Sequence, residues 1–299
     1  MDIRQLHYFL KVAQLGSMTA AAADLGIAQP TLTKSMRLLE EQLGTPLLHR
    51  LPRGVELTAA GARLAHHAKA VEVQLADAER EIGQLRDGAS GEVVIGAGPA
   101  WLRRHLPEAV ATALSDHPML RFRIIGGFEV ALLRELRAGS LDMVLAELPT
   151  GPQADLDMTP LVADRLVVLA RAGHPLAGRR CEPRDLLDFP WVMSPAGTGA
   201  RRRLDALFLA RNLAVPDVQV ETSSMTFLLR VLHQTDLLNF AVETTLAAPD
   251  GKGLAVLDVP ALAAEREAGL IKRRGTDLSP AAQSLVTAVS AICARNPRN

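Results

Sequence analysis

Residues 17–43 read SMTAAAADLGIAQPTLTKSMRLLEEQL, one helical run, a glycine and a second helical run. Ser17 is placed to cap the first helix by accepting a hydrogen bond from an orphan backbone N–H, and residues 20–23 are all alanine, the strongest helix former. Gly26 ends that helix, because glycine enters the left-handed conformation that commonly closes one. Gln29 and Pro30 open the next, since a proline in the first turn lacks only an N–H that would go unpaired there. Leu32, Met36, Leu39 and Leu43 recur at steps of four, three and four, which predicts an inward face. The other face carries Gln29, Thr33 and Arg37, with Pro30 and Lys34 beside them. Hydrogen-bonding and cationic groups near a helix N-terminus are what a helix-turn-helix protein lays into the major groove. A plain helical hairpin with a solvated face has the same spacing.

Upstream, residues 3–14 place Leu6, Phe9, Leu10 and Ala13 on one side of a further helix, so three helices can share a small core. Downstream, residues 45–61, TPLLHRLPRGVELTAAG, set apolar pieces at 46–48 and 55–57 around a turn broken by Pro46, Pro52 and Gly54. This predicts a two-stranded wing with His49, Arg50 and Arg53 at or near its tip, within reach of phosphates or a neighbouring minor groove. A solvated turn that carries arginine is the alternative for this segment taken alone. From residue 58 to 87 no proline intervenes, and Leu64, Ala68, Val71, Leu75, Ala78, Ile82 and Leu85 alternate steps of four and three. A heptad seam on so long a helix points to a coiled-coil dimer, with packing onto the chain's own body as the other outlet. Dimerisation would set two recognition helices on two half-sites at a spacing fixed by the protein.

The linker signal DGASG, residues 87–91, marks a change of pattern. Short apolar runs at 93–95, 122–125, 143–145, 166–169, 191–193, 218–220 and 237–242 then alternate with helical stretches at 101–115, 129–138, 200–213, 224–234 and 280–294. The last helix follows a capping Ser279. The alternation predicts an α/β region with largely parallel strands.

A chain of 299 residues with 48% hydrophobic and 22% charged residues fits about two globular domains. Lys plus Arg and Asp plus Glu both total 33, so no global field attracts nucleic acid and DNA affinity must come from local patches. No apolar run spans a bilayer, and the N-terminus MDIRQLHYFLKVAQ is amphipathic rather than a signal sequence, so a cytoplasmic protein without a membrane partner is expected. Cys181 and Cys293 lack metal-ligand spacing and are expected as free thiols, and no metal or other cofactor is expected. Gly96, Gly98 and Trp101 fail the dinucleotide fingerprint, whose third glycine is replaced by tryptophan. The glycines of residues 194–199, SPAGTG, lack the Lys-Ser or Lys-Thr of a phosphate loop, and no nucleophile elbow or zinc helix occurs. His66 and His67, adjacent on a helix, point about 100 degrees apart and do not share a metal easily. Catalysis therefore has no support in the sequence.

Taken together, residues 6–61, LHYFLKVAQLGSMTAAAADLGIAQPTLTKSMRLLEEQLGTPLLHRLPRGVELTAAG, resemble the LysR-type transcriptional regulators nearly position for position. Weaker echoes follow in the family's order in RELRAGSLDMVLAE, LVVLARAGHPLA and a C-terminal strand-helix pair, so the resemblance covers the whole chain. It implies an α+β multidomain protein and no enzyme: a winged helix-turn-helix over 1–58, a dimerising linker helix and hinge over 59–90, and an effector-binding domain over 91–299. The effector domain would comprise two α/β subdomains like those of periplasmic solute-binding proteins, 91–161 plus 267–299 and 162–266, crossed near residues 161–162 and 265–269.

At matched positions the resemblance assigns Gln29, Pro30, Thr33 and Lys34 to base edges, Thr31 and Arg37 to the DNA backbone, and Arg50 and Arg53 to the wing. Thr33 stands where the family more often has serine, which keeps the hydroxyl and adds a methyl that could touch thymine. The effector would sit in the cleft between subdomains, near Pro99, Ala100, Gly127, Phe128, Ser194, Thr198, Thr222, Ser223 and Ser224. Each of these has a helix cap or a packing role as its alternative. Helix N-termini and hydroxyls suit an anionic metabolite, although Pro99 and Ala100 replace the hydroxyl residue of many relatives. Expected partners are double-stranded promoter DNA, a small metabolite as effector, a second copy through the linker helix, a homotetramer by analogy, and RNA polymerase.

Overall fold

The computed structural model describes residues 1–51, 54–87 and 92–295. They form two compact units, Met1–Gly83 and Gln84–Asn299. In the first, α1 (Ile3–Leu15), α2 (Met18–Asp24) and α3 (Gln29–Leu43) precede a two-stranded antiparallel wing, β1 (Leu48–Leu51) and β2 (Gly54–Leu57), and the long α4 (Ala59–Asp87) follows. Ser17 accepts from the Ala20 N–H as its position predicts, and Gly26 takes a left-handed φ of 65° just past α2. Phe9, Val12, Leu32 and Leu39 are wholly enclosed with Ala21, and each full burial of a large apolar side chain is worth about 1.5–3 kcal/mol. Two expectations are corrected. Val12, rather than Leu10 or Ala13, completes the inward face of α1, and Leu43 lies 40% exposed because α3 ends there at the left-handed Gly44. The turn of the wing, with Pro52 and Arg53, and linker residues 88–91 lie outside the described residues.

In the second unit β3 (Glu92–Ala97), α5 (Pro99–Arg103), α6 (His105–Asp116), β4 (Arg121–Gly126), α7 (Glu129–Arg137) and β5 (Met143–Glu147) come first. Strands β4, β3 and β5 are neighbours in that order and parallel. The expected single helix over 101–115 is instead broken at Arg104, whose φ of −126° and ψ of −74° fit neither α5 nor α6. Then comes β6 (Leu156–Arg171), a 16-residue strand. After it follow β7 (Trp191–Met193), α8 (Gly199–Leu209), β8 (Val218–Glu221), α9 (Met225–Gln234), β9 (Asn239–Val242), β10 (Leu254–Val256), β11 (Ala264–Arg273) and α10 (Pro280–Arg295).

Strand β6 pairs antiparallel with β11, β9 and β10, so the seven-stranded sheet is mixed rather than largely parallel. The reason lies in β6 and β11 themselves. They run side by side from one half of the sheet into the other, and antiparallel pairing is the only way a chain can cross over and return through one ribbon. Their register shifts between Ala268 and Gly269, where a Cβ would stand 2.1 Å from the Thr159 carbonyl oxygen. Glycine is required there by the close approach of the two backbones. Separate apolar clusters serve the two halves. One joins β3, β5 and α6 to α10 through Ile95, Met143, Leu106 and Leu285; the other gathers Trp191, Phe208, Leu238 and Phe240 around β7, α8 and β9.

Candidate functional site

The exposed edge of α3 carries Gln29, Pro30, Thr31, Lys34 and Arg37 in the open and Thr33 half-buried. No side chain caps this helix, since Ala28 stands at its N-cap, and uncapped first-turn amides favour a phosphate. Arg37 shares its charge with Glu41 at 3.2 Å, both largely exposed, a pair of small worth that a phosphate can replace. Leu32, Met36 and Leu39 anchor the opposite side of α3 on Phe9, Val12 and Leu47. The wing is tied to this frame at two points. The Glu40 carboxylate accepts the Leu47 and Leu48 N–H groups at 2.7 and 3.1 Å, and the Val55 N–H donates to the Gly16 carbonyl at 2.9 Å. A Cβ at Gly54 would meet that same carbonyl oxygen at 2.5 Å, so glycine lets the wing close on α1. His49 is exposed on β1 opposite Glu56, and the Arg50 backbone pairs with Val55. The other wing cation, Arg53, is outside the described residues.

Along α4 the seam divides. Ala68 is buried and Leu64 half-buried against the helical core, whereas Val71, Leu75 and Ile82 are 39%, 36% and 67% exposed. The chain's own body covers the first part of the seam and leaves the stripe Val71, Leu75 and Ile82 exposed.

In the second unit a cavity of about 90 Å³ opens between the two halves of the sheet, beside the crossing strands. It brings together five of the nine effector candidates: Pro99 and Ala100 from the start of α5, Phe128 before α7, and Ser194 and Thr198 after β7. Gly127, Thr222, Ser223 and Ser224 do not line it. Ser224 instead caps α9 by accepting from the Phe227 N–H, Thr222 accepts from the Ser224 N–H, and Gly127 packs where a Cβ would crowd Leu132 at 3.2 Å.

The strongest electrostatic feature of this wall was not among the sequence candidates. Arg266, on β11, donates to both oxygens of Asp164 at 2.6 and 2.9 Å and to Glu147 at 3.1 Å. Burial alone would lower the guanidinium's pKa, but the hydrogen bonds and charges of Asp164 and Glu147 outweigh it and hold the pKa up. Arg203 of α8 makes an ion pair with the same Glu147. The carboxylate lies against the first residue of α8, where a Cβ on Gly199 would stand 2.8 Å from either oxygen. Asn239 is missed as well: its Nδ2 donates to the Val192 carbonyl at 2.7 Å, one residue past the bridge between Trp191 and Leu238. A charged residue inside an otherwise apolar strand, as at the end of MVLAE, is the signal that marks such positions.

Neither thiol is poised for chemistry. Cys181 and Cys293 are buried in separate clusters, and burial pushes both thiols up, that of Cys293 to about 11. Burial likewise lowers the pKa of His105, and Arg104 adds to it, so the imidazole is neutral beside Trp101. His66 and His67 are exposed on α4 with ring centroids 5.4 Å apart and tilted edge to face. Among the described residues no cluster of three or more metal-ligating side chains occurs, and no helix is long and apolar enough to cross a membrane.

Two family profiles cover most of the chain. Residues 3–62 match the bacterial regulatory helix-turn-helix protein of the lysR family, and residues 86–294 match the LysR substrate binding domain. The chain is 33% identical over 309 residues to the SDS degradation transcriptional activation protein of a Pseudomonas species, covering 99% of this chain and 98% of that protein. It is 30% identical over 291 residues to the transcriptional regulator GalR of Pseudomonas putida, covering 97% and 73% respectively. In fold it is similar to full-length OxyR from Pseudomonas aeruginosa, with a TM-score of 0.62 at 23% identity over 97% of this chain and 94% of that one. A helix pair held by its wing, a sheet crossed twice by one ribbon and these matches lead to one assignment: the chain belongs to the LysR-type family of DNA-binding transcriptional regulators, whose members are regulators rather than enzymes.

Proposed function

We infer that the chain reads promoter DNA with the α3 edge and the wing, and that a small effector held at the cavity beside the crossing strands sets the outcome. The observation that carries the effector half is the meeting of α5, the β7 loop and β9 around one cavity between two separately packed cores. A ligand bound there touches both halves, and unequal affinity for two arrangements of them is what a switch requires. Residues 1–58 form the reader, 59–90 the connector, and 91–161 with 267–299 and 162–266 the two effector subdomains. Gln29, Pro30, Thr33 and Lys34 face bases, Thr31 and Arg37 the phosphates, and Arg50 and Arg53 act from the wing. The protein works in the cytoplasm, and RNA polymerase reads the change at the promoter.

Gln29→Ala is expected to weaken specific binding about 10–100-fold while leaving unrelated DNA nearly unaffected, because it removes a base contact. Arg37→Ala is expected to weaken both and to lower the salt slope by about one, because it removes a phosphate contact. Binding isotherms at several salt concentrations separate the two, and an unchanged specific affinity in Gln29→Ala would refute the groove-facing edge.

The uncovered stripe Val71, Leu75, Ala78 and Ile82 supports a homodimer along α4, and a homotetramer rests on the family resemblance. Placing charges at Val71→Asp and Leu75→Asp is expected to yield monomers in sedimentation and to abolish simultaneous occupancy of two half-sites. Dimers that persist with unchanged footprints would put the interface elsewhere.

A further inference from the structure

The cations on the cavity wall already have their counter-ions. Arg266 lies between Asp164 and Glu147, Arg203 meets Glu147, and Arg103 meets Asp250. Arg202, close by on α8, faces Glu129 of α7 at 3.4 Å. The pairs of Arg103, Arg202 and Arg203 join one half of the sheet to the other, so the protein neutralises its own cleft. The N-terminus of α8, which would favour a ligand carboxylate, has Glu147 against it instead. An anion entering here would approach a carboxylate before it found a free cation.

What the wall leaves unsatisfied are hydrogen-bonding atoms that carry no charge or whose charge is already paired. Asn239 is 2% exposed, and its bond through Nδ2 to the Val192 carbonyl fixes which way the amide faces. Its Oδ1 has no partner. Thr198 Oγ1 donates its one hydrogen to the Pro195 carbonyl at 2.9 Å, so the 2.7 Å contact between Ser194 and Thr198 is donated by Ser194. That leaves the Ser194 oxygen with acceptor capacity alone. Arg103 lines the same cavity, and its Nε is a buried donor without an acceptor. Leu166, Met225, Leu228 and Phe240 supply apolar walls.

We propose that the effector is a small uncharged molecule whose N–H or O–H groups donate to Asn239 Oδ1 and Ser194 Oγ and whose carbonyl or hydroxyl oxygen accepts from Arg103 Nε. A short aliphatic primary amide meets all three requirements. The cavity's 90 Å³ sets the scale, below the roughly 150 Å³ that accommodates a benzene ring. The proposal rests on the cleft being the effector site.

The test uses the full-length protein with acetamide and its isostere acetate, four-heavy-atom molecules that fit the cavity and differ in charge and in donors but hardly in shape. Acetamide is expected to raise the unfolding midpoint saturably, by about 3–5 °C at ten times Kd, and acetate to leave it unchanged. Ser194→Ala is expected to weaken the amide about 5–10-fold, and Asn239→Leu more, because each removes an acceptor. Should Asn239→Leu fail to fold, Ser194→Ala carries the comparison alone. Stabilisation by acetate that Ser194→Ala weakens would overturn the ligand class and leave the cleft reading standing. Stabilisation by the amide that is indifferent to Ser194→Ala would overturn both, and no response to either probe up to saturation of solubility would overturn the ligand class.

Discussion

Replacing Arg266 by methionine is expected to cost the second unit about 3–5 kcal/mol, the penalty of leaving buried carboxylates without their partner. The side chains of Arg266, Glu147 and Asp164 are only 11%, 11% and 7% exposed. Methionine keeps much of the volume, so the loss reports charge rather than a cavity. Arg203 still neutralises Glu147, which makes Asp164 the stranded group. Adding Asp164→Leu should therefore recover most of the stability, because a well-packed apolar pair often equals a buried ion pair. Arg274→Met is the matched control. Its pair with Asp157 is 58% and 41% exposed, and its loss should cost no more than about 1 kcal/mol. Denaturant midpoints on the three variants decide the matter, and equal losses for Arg266 and Arg274 would refute the role given to the buried network.

Phe9→Ala should be comparably severe for the first unit, about 3–5 kcal/mol. Phe9 is fully enclosed where α1 meets α2 and α3, and its removal leaves a hole that three short helices cannot close. A unit of this size has total stability on the order of 4–12 kcal/mol, so DNA binding should disappear at a temperature well below that of the wild type. Calorimetry is expected to show the transition of Met1–Gly83 lowered and that of Gln84–Asn299 unmoved. Phe9→Leu, which keeps most of the volume, should bind DNA normally at low temperature. Full DNA binding by Phe9→Ala at elevated temperature would show that α3 is held by something other than this core.

The helix pair, the wing and the long connector were legible because their signals are local. Ser17 and Gly26 act within a few residues of themselves, and the spacing of Leu32, Met36 and Leu39 is a property of one helix. Strand β11 was legible only through the family resemblance, which put a crossing at residues 265–269. Its first half, Ala264, Glu265, Arg266 and Glu267, alternates half-buried and exposed residues and carries three charges, so no apolar run marks it. Only the long-range ladder to β6 makes it a strand. The same distance hid the cavity's polar groups. Glu147 and Arg266 are 119 residues apart, and nothing near either one in sequence announces the other. The hydroxyl-bearing turn at residues 222–224 has the local use that the sequence left as its alternative, because Thr222 and Ser224 satisfy neighbouring backbone amides as well as they would a ligand.

The ribbon of β6 and β11 has a bearing on how such a regulator can diversify. Side chains alternate across a sheet, so one inserted or deleted residue in either strand would turn the following positions to the opposite face. Because β6 pairs with β11 over its first part and with β9 and β10 over its last, the error would propagate into both cores at once. Gly269, pinned against the Thr159 carbonyl, fixes the register at the point of crossing. New effector preferences are therefore open to exchanges of side chains around the cavity on a ribbon of constant length, while changes in chain length are confined to surface turns such as that at residues 149–155.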